Sequence, residues 1–349
     1  MILMILVCPT MLIKPDLEDE EIVRCLRDAY GLNVEEISFL PLGADLNTAV
    51  YRVTTSSATD YFLKLRCREF NETAVLVPKH LAGLDLKQVI PPLATGTGLL
   101  WASLASFKAV LYPYVEGRNG IEVNLSDRQW IEFGATLKRF HSADIPSIIT
   151  SRVQRETFSS KWRETVKTFL GRIEDEVFKE PVAAEMALFL KSKSREILNL
   201  VRRAENLARY LQRQPLEYIL CHADIHGWNL LIDKEGALYI VDWDTLIFAP
   251  KERDLMFIGA GIGDSGRKPL EEEALFYQGY GQTNINQAAI AYYRYERVVE
   301  DIGVYCEQIF LSDEGGEDRI RSFEYLQSNF LPNGTIERAC QSDKARKVL

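Results

Sequence analysis

Hydrophobic positions first recur at helical spacing. After Pro15 and Asp16, the stretch L-E-D-E-E-I-V-R-C-L-R-D-A-Y-G places Leu17, Ile22, Cys25, Leu26 and Tyr30 on one stripe and closes on Gly31, which predicts an amphipathic helix. From about residue 36 to 66 the period changes to two. A-V-Y-R-V and Y-F-L-K-L-R flank the polar T-T-S-S-A-T-D, so a β-hairpin is predicted. Residues 72–82 predict a helix, and L-L-W-A-S-L and F-K-A-V-L-Y-P-Y-V two more strands, before E-G-R-N-G breaks the pattern. Beyond residue 125 the helical period dominates. N-L-S-D-R-Q-W-I-E-F opens on Ser126 as an N-cap, and further helices are predicted near 160–178, 182–213, 270–280 and 286–311. One β excursion, 217–248, interrupts them, and the polar chain after Pro332 is expected to fray.

This succession predicts an α+β protein of two lobes. Residues 11–115 would form a small antiparallel sheet lobe with helices, and 116–331 a larger, mainly helical lobe, with an extension at 1–10 and a tail at 332–349. With 349 residues, 47% of them hydrophobic and 26% charged, the chain can bury a sizeable core. Its 41 basic and 50 acidic residues give a net charge of −9, the wrong sign for holding nucleic acid through phosphates and a suitable one for a small cationic substrate. The six cysteines show no metal-ligand or disulfide spacing, which fits a reducing cytoplasm. The apolar start M-I-L-M-I-L-V lacks a basic flank and is far too short to span a bilayer, so no membrane partner is expected. Residues 1–10 are read as an upstream start or a disordered extension, with Met11 as the natural beginning. A monomer or weak dimer is expected.

The β excursion carries the polar residues that buried strands should not tolerate without a purpose. In C-H-A-D-I-H-G-W-N, His222, Asp224 and Asn229 have the H-x-D-x-x-x-x-N spacing of a kinase catalytic loop. In that chemistry the Asp accepts a proton from the substrate hydroxyl, while the Asn and a later Asp, here Asp242 of I-V-D-W-D, hold Mg²⁺ against the phosphates of ATP or GTP. His222 is expected to brace the loop through hydrogen bonds. If L-L-I-D and A-L-Y-I-V pair across a turn centred on Glu235 and Gly236, partner numbers sum to 471 and Asn229 faces Asp242, about 5 Å away at Cα. Two oxygen donors so placed would suit Mg²⁺.

Phosphoryl transfer also needs a cation near the α- and β-phosphates. Lys64 alternates with Leu63 and Leu65 and so faces away from their apolar side, and Glu72 at the next helix start is its expected partner. In L-G-A-D-L-N-T, Gly43, Asp45 and Asn47 are expected to face the nucleotide, although G-x-G-x-x-G is missing. Tyr112 and Tyr114, in V-L-Y-P-Y-V-E-G between sheet and helices, mark where adenine would meet backbone groups. Residues 241–310 hold 12 acidic and 6 basic groups. Within them a helix over Y-Y-R-Y-E-R-V-V-E-D puts Tyr292, Glu296 and Glu300 on one face, where like charges cost about 0.2–0.5 kcal/mol per pair. A cationic acceptor lying over them, with cation–π attraction from the tyrosine, would relieve that cost. Asp244 and Glu252 are further carboxylates for the same task.

Taken together, C-H-A-D-I-H-G-W-N, Y-I-V-D-W-D, A-P-K-E-R-D-L-M-F-I-G and Y-Y-R-Y-E-R-V-V-E-D-I resemble the aminoglycoside phosphotransferases and their small-molecule kinase relatives over roughly residues 11–331. The resemblance implies a bilobal protein-kinase-like fold with Asp224 as catalytic base, Asn229 and Asp242 as magnesium ligands and Lys64 on the nucleotide phosphates. It also implies that Asp254 is a structural carboxylate bracing the catalytic loop. The metal-binding motif is D-W-D in place of D-F-G. The implied activity is phosphorylation of a hydroxyl on a cationic aminocyclitol, with spectinomycin the leading acceptor and antibiotic resistance the consequence. A kinase of choline, an amino alcohol, a sugar or homoserine is the alternative, and a catalytically dead nucleotide-binding regulator the reading from another class.

Overall fold

A computed structural model describes residues 14–42, 48–67, 70–259, 267–311, 316–332 and 334–346. The chain parts into two units, 1–154 with 222–246 and 261–282, and 155–221 with 247–260 and 283–349. The expected lobes, 11–115 and 116–331, cut the chain differently. The hairpin bearing the H-x-D-x-x-x-x-N motif falls in the first unit, together with the N-terminal sheet.

In chain order the first unit holds α1 (Asp19–Tyr30), β1 (Val34–Leu40), β2 (Thr48–Thr55), β3 (Asp60–Cys67), α2 (Thr73–Gly83), β4 (Ala102–Leu104), β5 (Phe107–Pro113), β6 (Gly117–Asn119), α3 (Asp127–His141) and α4 (Ser147–Thr150). A two-residue strand, β7 (Gln154–Arg155), leads into α5 (Lys161–Asp175), α6 (Pro181–Leu211) and β8 (Ile219–Cys221) of the second unit. β9 (Leu230–Asp233) and β10 (Leu238–Ile240) belong to the first unit again, and β11 (Ile247–Ala249) and α7 (Glu252–Leu255) to the second. α8 (Pro269–Tyr280) completes the first unit, and α9 (Gln287–Phe310), α10 (Gly316–Ser328) and α11 (Thr335–Arg346) the second.

α1 forms where the first apolar stripe predicts it. Asp19, Glu20 and Glu21 occupy its positive N-terminal turn, Ile22 and Leu26 are fully buried, and Gly31 ends it at φ 69°. The five-stranded sheet runs β1-β2-β3-β5-β4 with every neighbouring pair antiparallel. Period two divides its residues between faces. Ala49, Tyr51, Val53, Leu63, Leu65, Ala109 and Leu111 pack with Ile22 and Leu26 into one core. On the other face Lys64 lies between Val50 of β2 and Val110 of β5, and Val110 clusters with Val75 of α2 and Leu100.

A second sheet, β10-β9-β6, carries the middle of the excursion, whose outer strands β8 and β11 pair antiparallel in another sheet. Its hairpin closes by a three-residue loop, Asp233 N–H donating to Ala237 O at 3.0 Å, with Gly236 at φ 84°. α3 opens on Ser126 as its N-cap, which also forms a capping box with Gln129. It meets α8 at unusually close range because glycines face backbone across the contact. A Cβ on Gly279 would lie 1.8 Å from Ile131 O, and one on Gly134 2.0 Å from Phe276 O. Gly279→Ala must therefore push the helices apart, and a loss of about 1–3 kcal/mol is expected, read as a lower Tm. An unchanged Tm would mean the contact relaxes without cost.

In the second unit α9 is the central helix, capped by Asn286 and packed by α5, α6, α7, α10 and α11. The chain after Pro332, expected to fray, instead forms α11. Ile336 and Ala339 are buried, Ser342 Oγ accepts from Arg294 at 2.7 Å, and Asp343 pairs with Arg203 at 2.5 Å. Its polar residues have partners on the neighbouring helices, which its composition alone does not disclose. Among the described residues no helix is long and apolar enough to cross a membrane.

Candidate active site

Asp224, Asn229, Asp242, Asp244 and Lys64 all belong to the first unit. The loop that bears Asp224 is held from below by His222, which is fully buried. Its Nε2 lies 3.0 Å from Val241 O, so it must carry the proton, while Nδ1 accepts the Asp224 N–H at 3.4 Å. Both ring nitrogens thus tie the loop to the strand end. Thr245 Oγ1 donates to His222 O at 2.7 Å, and the Trp243 ring lies 4.9 Å from the imidazole and 5.0 Å from Phe140 of α3. The apolar centre of D-W-D is therefore an anchor, with its two carboxylates on either side.

Asp224 presents its carboxylate at the end of this scaffold. Asn229 Nδ2 donates to Asp224 O at 2.8 Å and lies 3.3 Å from Oδ2, and His226 Nε2 is also 3.3 Å from Oδ2. With its amide nitrogen directed at Asp224, Asn229 has Oδ1 to offer a cation. Two residues here have left-handed backbones without being glycine, Ala223 at φ 70° and Asp242 at φ 63°. Such conformations cost about 1–3 kcal/mol each and persist where the surroundings enforce them.

The β9–β10 register differs by one from expectation. Leu230 pairs with Ile240 and Ile232 with Leu238, so partner numbers sum to 470, and Asn229 O accepts the N–H of Val241, not of Asp242. The cause is the turn. A two-residue type I′ turn needs positive φ at both Glu235 and Gly236; only Gly236 has it, so Lys234 joins them in a three-residue loop. Asp242 is the first residue beyond the pair, and its own positive φ sets the direction of its side chain.

Lys64 is the cation of the cluster. Its Nζ donates to Asp242 Oδ1 at 2.9 Å and to Asp244 Oδ2 at 2.6 Å. Burial alone would lower its pKa, but the two carboxylates outweigh that and hold it above the ordinary lysine value. The ammonium in turn depresses Asp242 to about 2. Arg66, two residues along the same face of β3, donates to the same Asp244 oxygen at 2.5 Å. The alternation that orients Lys64 orients Arg66 as well, and that period is the signal in the sequence that points to it. Two converging carboxylates that already hold an ammonium, with an amide oxygen on the neighbouring loop, are a donor set that fits a divalent cation.

Glu72 does not pair with Lys64. It forms its ion pair with Arg152, because it sits just before α2, where Asn71 caps Thr73, while Lys64 has two carboxylates on the D-W-D turn. Tyr112 is on the Lys64 face of the sheet, 6.4 Å from the Phe62 ring, and Tyr114 lies under the Arg52 guanidinium at 4.8 Å with its N–H given to Asp60 O. Gly43, Asp45 and Asn47 lie outside the described residues.

The acidic face of α9, in the second unit, is relieved from within the unit. Glu296 forms an ion pair with Arg163 of α5, and Arg163 also lies 3.4 Å from the Tyr292 hydroxyl, so the positive group expected over these residues is supplied by the chain itself. Glu252 is buried and accepts the Asn286 N–H at 2.9 Å. Glu300 is half-buried. Burial, opposed by Arg163, pushes the Glu296 carboxyl from 4.5 up to about 7. The fold thus binds a proton that the unfolded chain releases, so the stabilisation is complete below pH 4.5 and lost as pH rises through about 7. Thermal unfolding should show the parent losing Tm relative to Glu296→Gln over that window. Parallel curves for the two proteins would contradict the raised value.

The profile of the phosphotransferase enzyme family matches residues 38–289. A spectinomycin phosphotransferase solved in complex with ADP and spectinomycin is 34% identical, with a TM-score of 0.87 over 94% of this chain and 99% of that one. A complex of spectinomycin phosphotransferase with AMP is also 34% identical, with a TM-score of 0.82 over 92% and 97%. A choline kinase from Streptococcus pneumoniae, 15% identical with a TM-score of 0.54 over 93% and 99%, shares the fold. No curated protein matches the chain.

Proposed function

Because the chain belongs to the phosphotransferase enzyme family and has its protein-kinase-like α+β fold, a phosphotransferase with an alcohol acceptor, we propose that it transfers the γ-phosphoryl of ATP to a hydroxyl of spectinomycin or a close aminocyclitol. The observation that carries the reaction is the meeting of Lys64 with Asp242 and Asp244, residues just over half the chain apart. Such a cluster has the parts needed to receive a metal-bound polyphosphate beside a loop carboxylate. Support for the acceptor is the 34% identity, along nearly the whole of both chains, with an enzyme solved with ADP and spectinomycin.

In this proposal Asp224 orients the acceptor hydroxyl and takes its proton, and Asn229 and His226 hold the carboxylate in position for that step. Lys64 turns to the nucleotide phosphates. Asn229 and Asp242 would hold Mg²⁺, which when bound neutralises charge between the phosphates. A resistance role and a cytoplasmic location follow from the same reading. A coupled ADP-release screen against spectinomycin, other aminoglycosides, choline and homoserine, with and without magnesium, tests it. Magnesium-dependent release with spectinomycin alone is expected. Release with choline or homoserine instead would assign a metabolite kinase, and no release with any acceptor would favour a nucleotide-binding regulator.

A further inference from the structure

Lys64 has two tasks that conflict. Its ammonium is shared between Asp242 and Asp244, yet on the function proposed above, on which this inference rests, it serves the nucleotide phosphates while Asp242 serves the metal. When Lys64 turns away, Asp244 would be left as a partly buried carboxylate, 23% exposed, beside a second carboxylate two residues away. A carboxylate in that position holds the nearest ammonium tightly unless another cation compensates it.

Arg66 is that cation. It lies on β3 with Lys64, opposite Thr48 of β2 and Lys108 of β5, and its side chain is 18% exposed. Its Nη1 shares Asp244 Oδ2 with Lys64. A guanidinium stays charged throughout the accessible pH range and presents fixed donors, so it can keep Asp244 in place while the flexible ammonium leaves. The strand holds the two cations on one face, and the short D-W-D turn holds the two carboxylates opposite them. We propose that Arg66 is a positioning residue for phosphoryl transfer: by holding Asp244 it releases Lys64 from the aspartates to the nucleotide.

Calorimetry of Mg·ADP binding to the intact protein tests this, with steady-state kinetics alongside. Arg66→Ala should weaken binding about tenfold, the weight of one hydrogen bond to a charged group, and Arg66→Lys should recover most of the loss. The nucleotide KM should rise by the same factor with kcat changed less than about threefold. In an Asp244→Asn background, where the carboxylate that Arg66 holds is gone, Arg66→Ala should change binding by less than about twofold. A role confined to stability would lower Tm, leave nucleotide affinity alone and overturn the proposal. An equal loss in the Asp244→Asn background would overturn it too, because Arg66 would then act on something else. Lys64→Ala separates this inference from the functional reading. If Lys64→Ala weakens nucleotide binding and Arg66→Ala does not, only the role of Arg66 fails; if neither does, the nucleotide site itself is misplaced.

Discussion

Asp224→Asn should leave a folded protein that binds nucleotide nearly as the parent does and turns over at least about a hundredfold more slowly, the lower end of general-base contributions. The substitution preserves shape. An amide oxygen can still accept from Asn229 Nδ2 and His226 Nε2, each 3.3 Å from the present carboxylate oxygen, and the bond from Asn229 Nδ2 to the main-chain Asp224 O is untouched. What is lost is the negative charge and the ability to take a proton. Tm should therefore stay close to the parent value while kcat collapses. Steady-state turnover with the acceptor identified by the screen, beside calorimetry of Mg·ADP, makes the comparison. Turnover within a few fold of the parent would remove Asp224 from the chemistry.

Asp242→Ala should abolish metal-dependent nucleotide binding rather than slow a bound complex. Its carboxylate is one of two proposed protein ligands and also one of the two partners of Lys64, so a single change removes a metal oxygen and loosens the phosphate-binding cation. Changes merely around a metal site cost about ten- to a hundredfold, and loss of a ligand should exceed that. The backbone adds a complication that a control resolves. Asp242 sits at φ 63°, a conformation that Asp and Asn adopt more readily than Ala does. Asp242→Asn tolerates that conformation and keeps an oxygen donor but not the charge, so it should fall between parent and Asp242→Ala in affinity while matching the parent in Tm. If Asp242→Ala binds Mg·ADP like the parent, the metal is held elsewhere.

What the amino-acid sequence determined by itself is everything that repeats over a few residues. Period two put Leu63 and Leu65 in one core and Lys64 on the opposite face, the 3.6 period laid out α1 and α9, and Ser126 with Gln129 wrote the start of α3. The spacing of His222, Asp224 and Asn229 was also legible, because a short loop between two strand ends leaves those side chains little choice of neighbour. Tertiary structure decided what depends on distance between remote residues. Lys64 has two aspartates nearly 180 residues away, not the nearby Glu72, and Glu72 has Arg152. Glu296 has Arg163 from another helix, and the polar tail has α6 and α9 to dock on. Charged residues accept many partners on chemical grounds, so only the packed chain selects among them. The hairpin register shows the same limit at short range. Gly236 takes a positive φ and Glu235 does not, so the loop takes in Lys234 and every facing pair moves by one residue.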